Sequence, residues 1–138
     1  MSDITLDVYL YFKGNCREAM EFYKDIFGGE LTVQTYGDVK AANEENGANN
    51  IMHARLEGGD IKLMASDTAK ASPVAAKVSL ALGGSDEPRL REIFGKLSKG
   101  GKVFMELKKE FWGDIFGSVT DKYGVDWMVN ITAGEAAS

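Results

Sequence analysis

The side chains in this 138-residue sequence that could carry chemistry are one histidine, one cysteine and several carboxylates. His53 is the only histidine, so it can serve alone as an acid or base near neutral pH, but it cannot form a two-histidine metal site. Arg55, two positions further on, can hold an anionic group, although an exposed strand arginine is the commoner case. Cys16 has no second cysteine with which to form an internal disulfide, and we expect it to be a small, buried or half-buried helix residue.

The carboxylates divide into one with a clear structural role and two whose role stays open. Asp121 begins the turn Asp121-Lys122-Tyr123-Gly124. Aspartate at such a position bonds the backbone ahead of it, and the glycine takes the left-handed conformation that closes a hairpin. Asp114 and Glu106 can each be a surface group or an acid at the rim of a pocket, and the sequence does not decide between these roles.

Charge and composition argue against several classes of function. The formal net charge is -5 and no basic run exceeds Lys108-Lys109, which argues against binding to a nucleic-acid backbone. No apolar run approaches the ~20 residues of a membrane span, and MSDITLDVYL lacks the positively charged start of a secretory signal. No G-x-G-x-x-G follows a strand and no Walker-type loop occurs. We therefore expect a cytoplasmic protein that binds neither nucleic acid nor membranes.

The first half of the chain predicts the element order β-α-β-β-β. DVYLYF, starting at Asp7, is rich in strand formers, and the segment after it repeats apolar residues at helical spacing. Asn15 with Glu18 resembles a capping box at the start of that helix, and Gly28-Gly29 ends it. ELTVQTY is then a strand, GDVKAANEENGANN a polar loop, and IMHARLEGGDIKLMAS two strands joined at its glycine pair.

The same order begins again at Lys77. KVSLALGG predicts a strand, Ser85 caps a helix that Gly100-Gly101 ends, and three strands follow in KVFMEL, DIFGSVT and VDWMVNI. This internal repeat predicts an α+β fold of two β-α-β-β-β modules, over about residues 3–66 and 77–132, with a linker over about 67–76. Each module has one helix to cover one sheet face, so the other face must be buried against its twin or around a ligand.

Two segments resemble a known family: FKGNCREAMEFYKDIFGGEL in the first module and SVTDKYGVDWMVNI at the end of the second. With Phe111-Trp112-Gly113 they resemble the vicinal oxygen chelate superfamily, which includes glyoxalase I, bleomycin-resistance proteins, fosfomycin-resistance enzymes and extradiol dioxygenases. The likeness is closer to the PhnB-like branch and covers essentially the whole chain. It implies a single glyoxalase-like domain over 1–138, in which the sheets curl into a cup with the helices outside and the ligand within.

The resemblance also implies where a metal ion would bind. Metal-dependent members use a histidine on the first strand of each module and a glutamate on the last strand, and alignment puts Val8, Ser79 and Met128 at these positions. None is a competent ligand for a divalent ion, so we expect no metal and no other cofactor. PhnB-like chains are often labelled as ubiquinone-pathway methyltransferases, but a methyltransferase of the usual kind needs a larger α/β domain for its S-adenosylmethionine.

Strand alternation predicts the direction of His53. It shares one face of its strand with Ile51 and Arg55, whereas the opposite face, with Ala54 and Leu56, is purely apolar. If the apolar face packs on the helix, His53 points into the cup and is the candidate acid-base residue. The alternative is a structural or solvent-exposed histidine.

Aromatic and apolar side chains complete the predicted cup. Trp127 alternates with apolar residues and is expected under the helix, whereas Trp112 precedes its strand and is placed either at the pocket rim or in the core. The alignment turns the first strand's Val8, Leu10 and Phe12 toward the cup. The predicted ligand-binding residues are therefore Val8, Leu10, Phe12, His53, Arg55, Ser79, Trp112 and Met128.

These residues favour a function without naming a ligand. The leading interpretation is metal-independent binding of a small, partly apolar molecule, in a homodimer of the kind common in this superfamily. One alternative is an enzyme of the same superfamily, with lyase-like or isomerase-like chemistry that uses His53 or a carboxylate. Another is a dimeric scaffold without a ligand, and the fold does not decide among the three.

Overall fold

The computed structural model describes residues 6–40, 42, 47–68 and 78–132. Outside the described residues lie residues 3–5 of the first predicted module, 41 and 43–46 of the polar loop, 69–76 of the linker, and Lys77. The chain divides into two compact units, Met1–Ala75 and Ala76–Ser138. In the described part, no helix is both long and apolar enough to cross a membrane.

The first unit is a four-stranded sheet with one helix. Strand β1 pairs with β4 in parallel, and the other neighbours are antiparallel, in the sheet order β1-β4-β3-β2. Asp67, predicted as the start of the linker, is instead the last residue of β4. The elements are β1 Tyr9–Phe12, α1 Cys16–Phe27, β2 Glu30–Thr35, β3 Ile51–Glu57 and β4 Leu63–Asp67.

Helix α1 packs one apolar side on this sheet. Met20 and Tyr23 on the helix are fully buried, as are Ala54 and Leu56 on β3 and Ala65 on β4. The helix contacts the three strands β2, β3 and β4. Apolar residues three and four positions apart lie on one side of a helix, so the sequence pattern explains both the helix and the face it buries.

The start of α1 is stabilised by a residue that is remote from it in the sequence. The capping box predicted at Asn15 does not form, because the Asn15 side chain makes no capping hydrogen bond. Instead, Oδ1 of the buried Asp67 accepts backbone N–H bonds from Gly14 at 2.8 Å and Cys16 at 2.9 Å. Its Oδ2 accepts the N–H of Ile51 at 2.9 Å. One carboxylate therefore joins the helix start to the beginning of β3.

The second unit repeats the first, which confirms the predicted pair of β-α-β-β-β modules and the α+β fold. Its sheet has the order β5-β8-β7-β6, again with one parallel pair, β5 with β8. The sequence placed the helix cap at Ser85, but Asp86 is the N-cap and accepts the Arg89 N–H at 3.2 Å. The elements are β5 Leu80–Gly84, α2 Glu87–Ser98, β6 Lys102–Lys109, β7 Ile115–Thr120 and β8 Asp126–Ile131.

Trp127 lies in the core of the second unit, on the face that helix α2 covers. It is 1% exposed, and the alternate β8 residues Val129 and Ile131 are buried with it. The predicted turn also forms: Gly124 has φ +89°, and Oδ1 of Asp121 accepts the N–H groups of Tyr123 at 2.8 Å and Val125 at 3.1 Å. The interpretations of Trp127 and Asp121 as structural residues are therefore confirmed.

Candidate functional site

Each sheet has one face under its helix and one face without a helix. In the first unit the helix-free face carries a row of one side chain from each strand: Tyr9, Met64, Arg55 and Thr32 pair across the sheet in that order. We call this surface the open face of the first sheet. It consists of Tyr9, Tyr11, Thr32, Gln34, His53, Arg55, Met64 and Ser66.

The predicted cup wall on β1 is wrong by one residue. Leu10 pairs with Ala65, which pairs with Ala54, and both alanines are fully buried on the helix side. Phe12 shares that side and is only 6% exposed. Because strand side chains alternate, a shift of one position in the alignment exchanges the two faces. Val8, immediately before β1, is half-buried and belongs to the same alternation.

Tyr9 and Tyr11 are therefore the aromatic residues that the sequence interpretation missed. They stand on the open face, and their rings lie 5.1 Å apart between centroids. A signal for them was present in DVYLYF, where one alternate set is purely apolar and the other contains both tyrosines. The rule that placed His53 opposite an apolar face would have placed the tyrosines correctly too.

His53 and Arg55 lie on the open face, as strand alternation predicts. Ala54 and Leu56, which alternate with them along β3, are both buried on the helix side. Ile51 does not share their face. The register between β2 and β3 shifts after Gln34, because Gln34 pairs with His53 and Thr35 pairs with Ile51. This irregularity turns Ile51 to the helix side, where it is 1% exposed.

The open face brings an imidazole and a phenol together. Tyr9 Oη lies 3.3 Å from Nδ1 of His53, and the two rings are 5.9 Å apart between centroids. Arg55 forms an ion pair with Glu57, at 3.3 Å from Nη1 to Oε2, in which both side chains are about half exposed. This surface can stack a flat ring, donate hydrogen bonds and offer one cationic group.

The second sheet has an open face of different chemistry. Met128 lies there, paired with Ser118 and Ala81, and the next row pairs Phe116 with Asn130. Trp112, in the loop before β7, is 49% exposed and packs edge-on against Phe116, 6.2 Å away between centroids. Trp112 is thus outside the core. Ser79 is exposed immediately before β5.

The two carboxylates whose role the sequence left undecided, Glu106 and Asp114, differ in their exposure. Glu106 is exposed, whereas Asp114 is half-buried and its Oδ2 accepts a 3.0 Å hydrogen bond from Nδ2 of Asn130. Glu110, which the sequence interpretation did not single out, has a buried Oε2 with no hydrogen-bond partner in the described part of the chain. Asp114 and Glu110 flank the Phe111-Trp112-Gly113 loop.

Cys16 is fully buried at the start of α1, as expected. Burial raises the pKa of its thiol to about 12, the nearby Asp67 carboxylate adds to the rise, and Arg17 opposes it. A thiol of this kind stays protonated near neutral pH and is a poor nucleophile.

The donor chemistry does not fit the metal site of the superfamily. The three positions offer Ser79, Met128 and, on β1, either Val8 or its neighbour Tyr9 on the open face. Among residues 6–40, 42, 47–68 and 78–132, no three His, Cys, Asp or Glu side chains are grouped closely enough to hold a metal ion.

A groove of about 560 Å³ lies elsewhere, between α1 and β2. Its apolar floor is Leu31 and Val33, on the helix side of the sheet, and none of the predicted site residues lines it. Its charged wall on α1 alternates in sign: Arg17, Glu21, Lys24 and Asp25. We favour the open face of the first sheet as the candidate site, because its aromatic and hydrogen-bonding groups converge.

Comparison with known proteins agrees with this architecture. The family model described as 3-demethylubiquinone-9 3-methyltransferase matches residues 5–130. Protein YjdN of Escherichia coli is 32% identical over 91% of this chain and 94% of its own. The crystal structure of PA1353 from Pseudomonas aeruginosa is 37% identical, with TM-score 0.78 over 92% of this chain and 98% of that one.

A third similar structure is a putative 3-demethylubiquinone-9 3-methyltransferase, PhnB protein, from Bacillus cereus. It is 25% identical, with TM-score 0.75 over 94% of this chain and all of that one. The fold is also that of glyoxalase/bleomycin resistance/dioxygenase family proteins. The chain therefore belongs to the PhnB-like family, whose model carries the 3-demethylubiquinone-9 3-methyltransferase description.

Proposed function

We propose that this protein binds a small, partly apolar molecule on the open face of the first sheet, without a metal ion. The observation that carries the proposal is the pair Tyr9 and Tyr11, which stand exposed beside His53 while the helix fills the other side of the same sheet. Tyr11 is 61% exposed, so its ring gains little from the fold itself.

Exposed aromatic side chains on a strand favour a ligand for an energetic reason. Removing apolar surface from water contributes about 25 cal/mol per Å², and offset or edge-on ring contacts add about 0.5–1.5 kcal/mol each. Tyr9 and Tyr11 offer such surface next to Met64. Trp112 with Phe116 offers a second aromatic surface in the other unit, where the predicted binding role of Trp112 and Met128 remains a proposal.

The methyltransferase description of the family does not fit this fold. Nucleotide-like cofactors of doubly wound proteins bind beyond the carboxyl ends of several adjacent parallel strands. In the described part of this chain, each four-stranded sheet has a single parallel pair, β1 with β4 or β5 with β8. We therefore derive no methyl transfer for this chain.

An enzyme of the same superfamily is the second candidate, and one observation favours it. The contact between Tyr9 Oη and His53 Nδ1 can fix the orientation of the imidazole, and Nε2 of His53 has no hydrogen-bond partner among the described residues. That nitrogen is available to move a proton in lyase-like or isomerase-like chemistry. If a bound molecule is turned over, His53→Gln should abolish turnover while weakening binding only modestly, because the glutamine amide keeps a hydrogen-bond donor.

The binding proposal is tested by a thermal-shift screen against a panel of aromatic small molecules. Compounds that raise the melting temperature of the wild type should lose their effect on Tyr11→Ala. Phe104→Ala is the matched control, because Phe104 is a strand aromatic of similar exposure, 68%, in the second unit. Equal loss in both variants, or no stabilising compound, would count against the proposal.

Metal independence has its own test. Because the family's ligand positions lack imidazole and carboxylate groups, EDTA should leave both the melting temperature and any ligand-induced shift unchanged. A fall of several degrees that added Zn²⁺ or Mn²⁺ reverses would contradict this part of the proposal.

A further inference from the structure

We propose, on the basis of the binding function proposed above, that the open face of the first sheet selects flat aromatic molecules that carry a carboxylate. The row Tyr9, Met64, Arg55 and Thr32 crosses all four strands and changes from aromatic and apolar at one end to cationic and polar at the other. A ligand that matches this row has a ring at one end and an anion at the other.

The apolar end is built from three side chains. Tyr9 and Tyr11 are tilted by 37° to each other, so they present two ring surfaces rather than one flat stack. Met64, next to Tyr9 on β4, is half-buried and supplies a polarisable thioether, which contacts aromatic rings favourably. Together they can cover one side of a planar ring system.

The polar end is Arg55, supported by His53. Arg55 forms a half-exposed ion pair with Glu57, and exposed pairs of this kind contribute little to stability. A ligand carboxylate can accept two parallel hydrogen bonds from the same guanidinium, which is the stronger arrangement. When Tyr9 donates to Nδ1 of His53, the neutral imidazole carries its proton on Nε2 and offers a further donor.

The spacing of the row suits a bicyclic acid. Tyr9 and Arg55 are two strands apart, which corresponds to about 10 Å across the sheet. A molecule of two fused rings with one carboxylate can therefore lie over Met64, with its ring toward the tyrosines and its carboxylate toward Arg55.

The test compares 2-naphthoate with the uncharged 2-naphthamide by isothermal titration calorimetry at pH 7.5. The wild type should bind the acid about tenfold more tightly than the amide, since a charged hydrogen-bonded pair adds about that factor. Arg55→Gln should abolish this preference by weakening only the acid. Glu57→Gln should strengthen binding of the acid, because it frees the guanidinium and removes a competing negative charge.

Two controls separate charge selection from other effects. Arg91→Gln on α2 removes an equally exposed arginine, also paired with a glutamate, and should change neither affinity. Tyr11→Ala should weaken the acid and the amide alike, because the ring contact is common to both.

The outcomes distinguish this inference from the function on which it rests. Equal affinity for the two compounds, with Tyr11→Ala weakening both, would overturn the selection of acids while supporting the binding site. Tighter binding of the amide, or no binding of either compound, would also overturn it. If neither compound binds, the thermal-shift screen and native mass spectrometry of the purified protein still decide whether the site binds other molecules.

Discussion

The indole Nε1 of Trp127 donates a hydrogen bond to Oδ2 of Asp121 at 2.9 Å, in the core of the second unit. The bond anchors the largest buried side chain to the turn that leads into its own strand. Trp127→Ala should lower the free energy of unfolding by about 3–5 kcal/mol, because it leaves a cavity and removes a partner of a buried carboxylate. Urea unfolding followed by circular dichroism measures this.

Trp112 should behave differently, because half of its side chain is exposed and its contacts are the rings of Phe111 and Phe116. Trp112→Ala should cost less than about 1 kcal/mol of stability, as is usual at exposed sites. If this variant unfolds as readily as Trp127→Ala, then Trp112 supports the fold and is not available as a rim residue.

Asp67→Asn should destabilise the first unit by about 3 kcal/mol. The carboxylate accepts three backbone N–H bonds, and an amide has only one acceptor oxygen, so at least one buried N–H loses its partner. Amide hydrogen exchange should show faster opening at Gly14, Cys16 and Ile51 than in the wild type. Unchanged exchange at these amides would mean that the Asp67 carboxylate does not hold the helix start.

The buried thiol of Cys16 predicts a loss of stability at high pH. Its pKa in the folded protein, about 12, lies above the ordinary value of 9.0. The contribution of the buried thiol to the free energy of unfolding is therefore fully present below pH 9. As the pH rises from 9 toward 12, the unfolded chain loses the proton first and unfolding becomes easier. Between pH 8 and pH 10.5 the wild type should lose about 2 kcal/mol more stability than Cys16→Ala. Parallel losses in both proteins would contradict this.

The chain should form a two-fold homodimer in solution. Apolar side chains such as Leu6, Val78 and Phe111 are largely exposed in the single chain, and a stable interface would bury about 1,200–2,000 Å² in total. Sedimentation velocity at micromolar concentration should give twice the chain mass. A stable monomer at these concentrations would rule out this assembly.

The fold was predictable because the same local signals occur twice. Apolar residues at helical spacing, glycine pairs after both helices and the turn at Asp121 each act over a few residues, and the second module repeats the first. The contacts that the sequence did not reveal join residues that are far apart along the chain. Asp67 bonds to Cys16 across 51 positions, and Tyr9 reaches His53 across 44.

The candidate site was only partly predictable, and the reason is the alternation of strands. His53 and Arg55 were placed by comparing the apolar character of the two faces of β3, and the buried Ala54 and Leu56 agree with that comparison. Phe12 was placed by alignment, in which an error of one residue turns every side chain over. The binding role of each of these residues stays a prediction.

The measurement that tests the central proposal most directly is the mass of the native protein. Native mass spectrometry of freshly purified wild type, incubated with compounds from the thermal-shift screen, should show a small molecule of defined mass that denaturation releases. The double variant Tyr9→Ala, Tyr11→Ala should carry none under the same conditions. If the wild type shows only the bare chain mass with every compound, or the double variant retains the same molecule, then the open face of the first sheet is not a binding site.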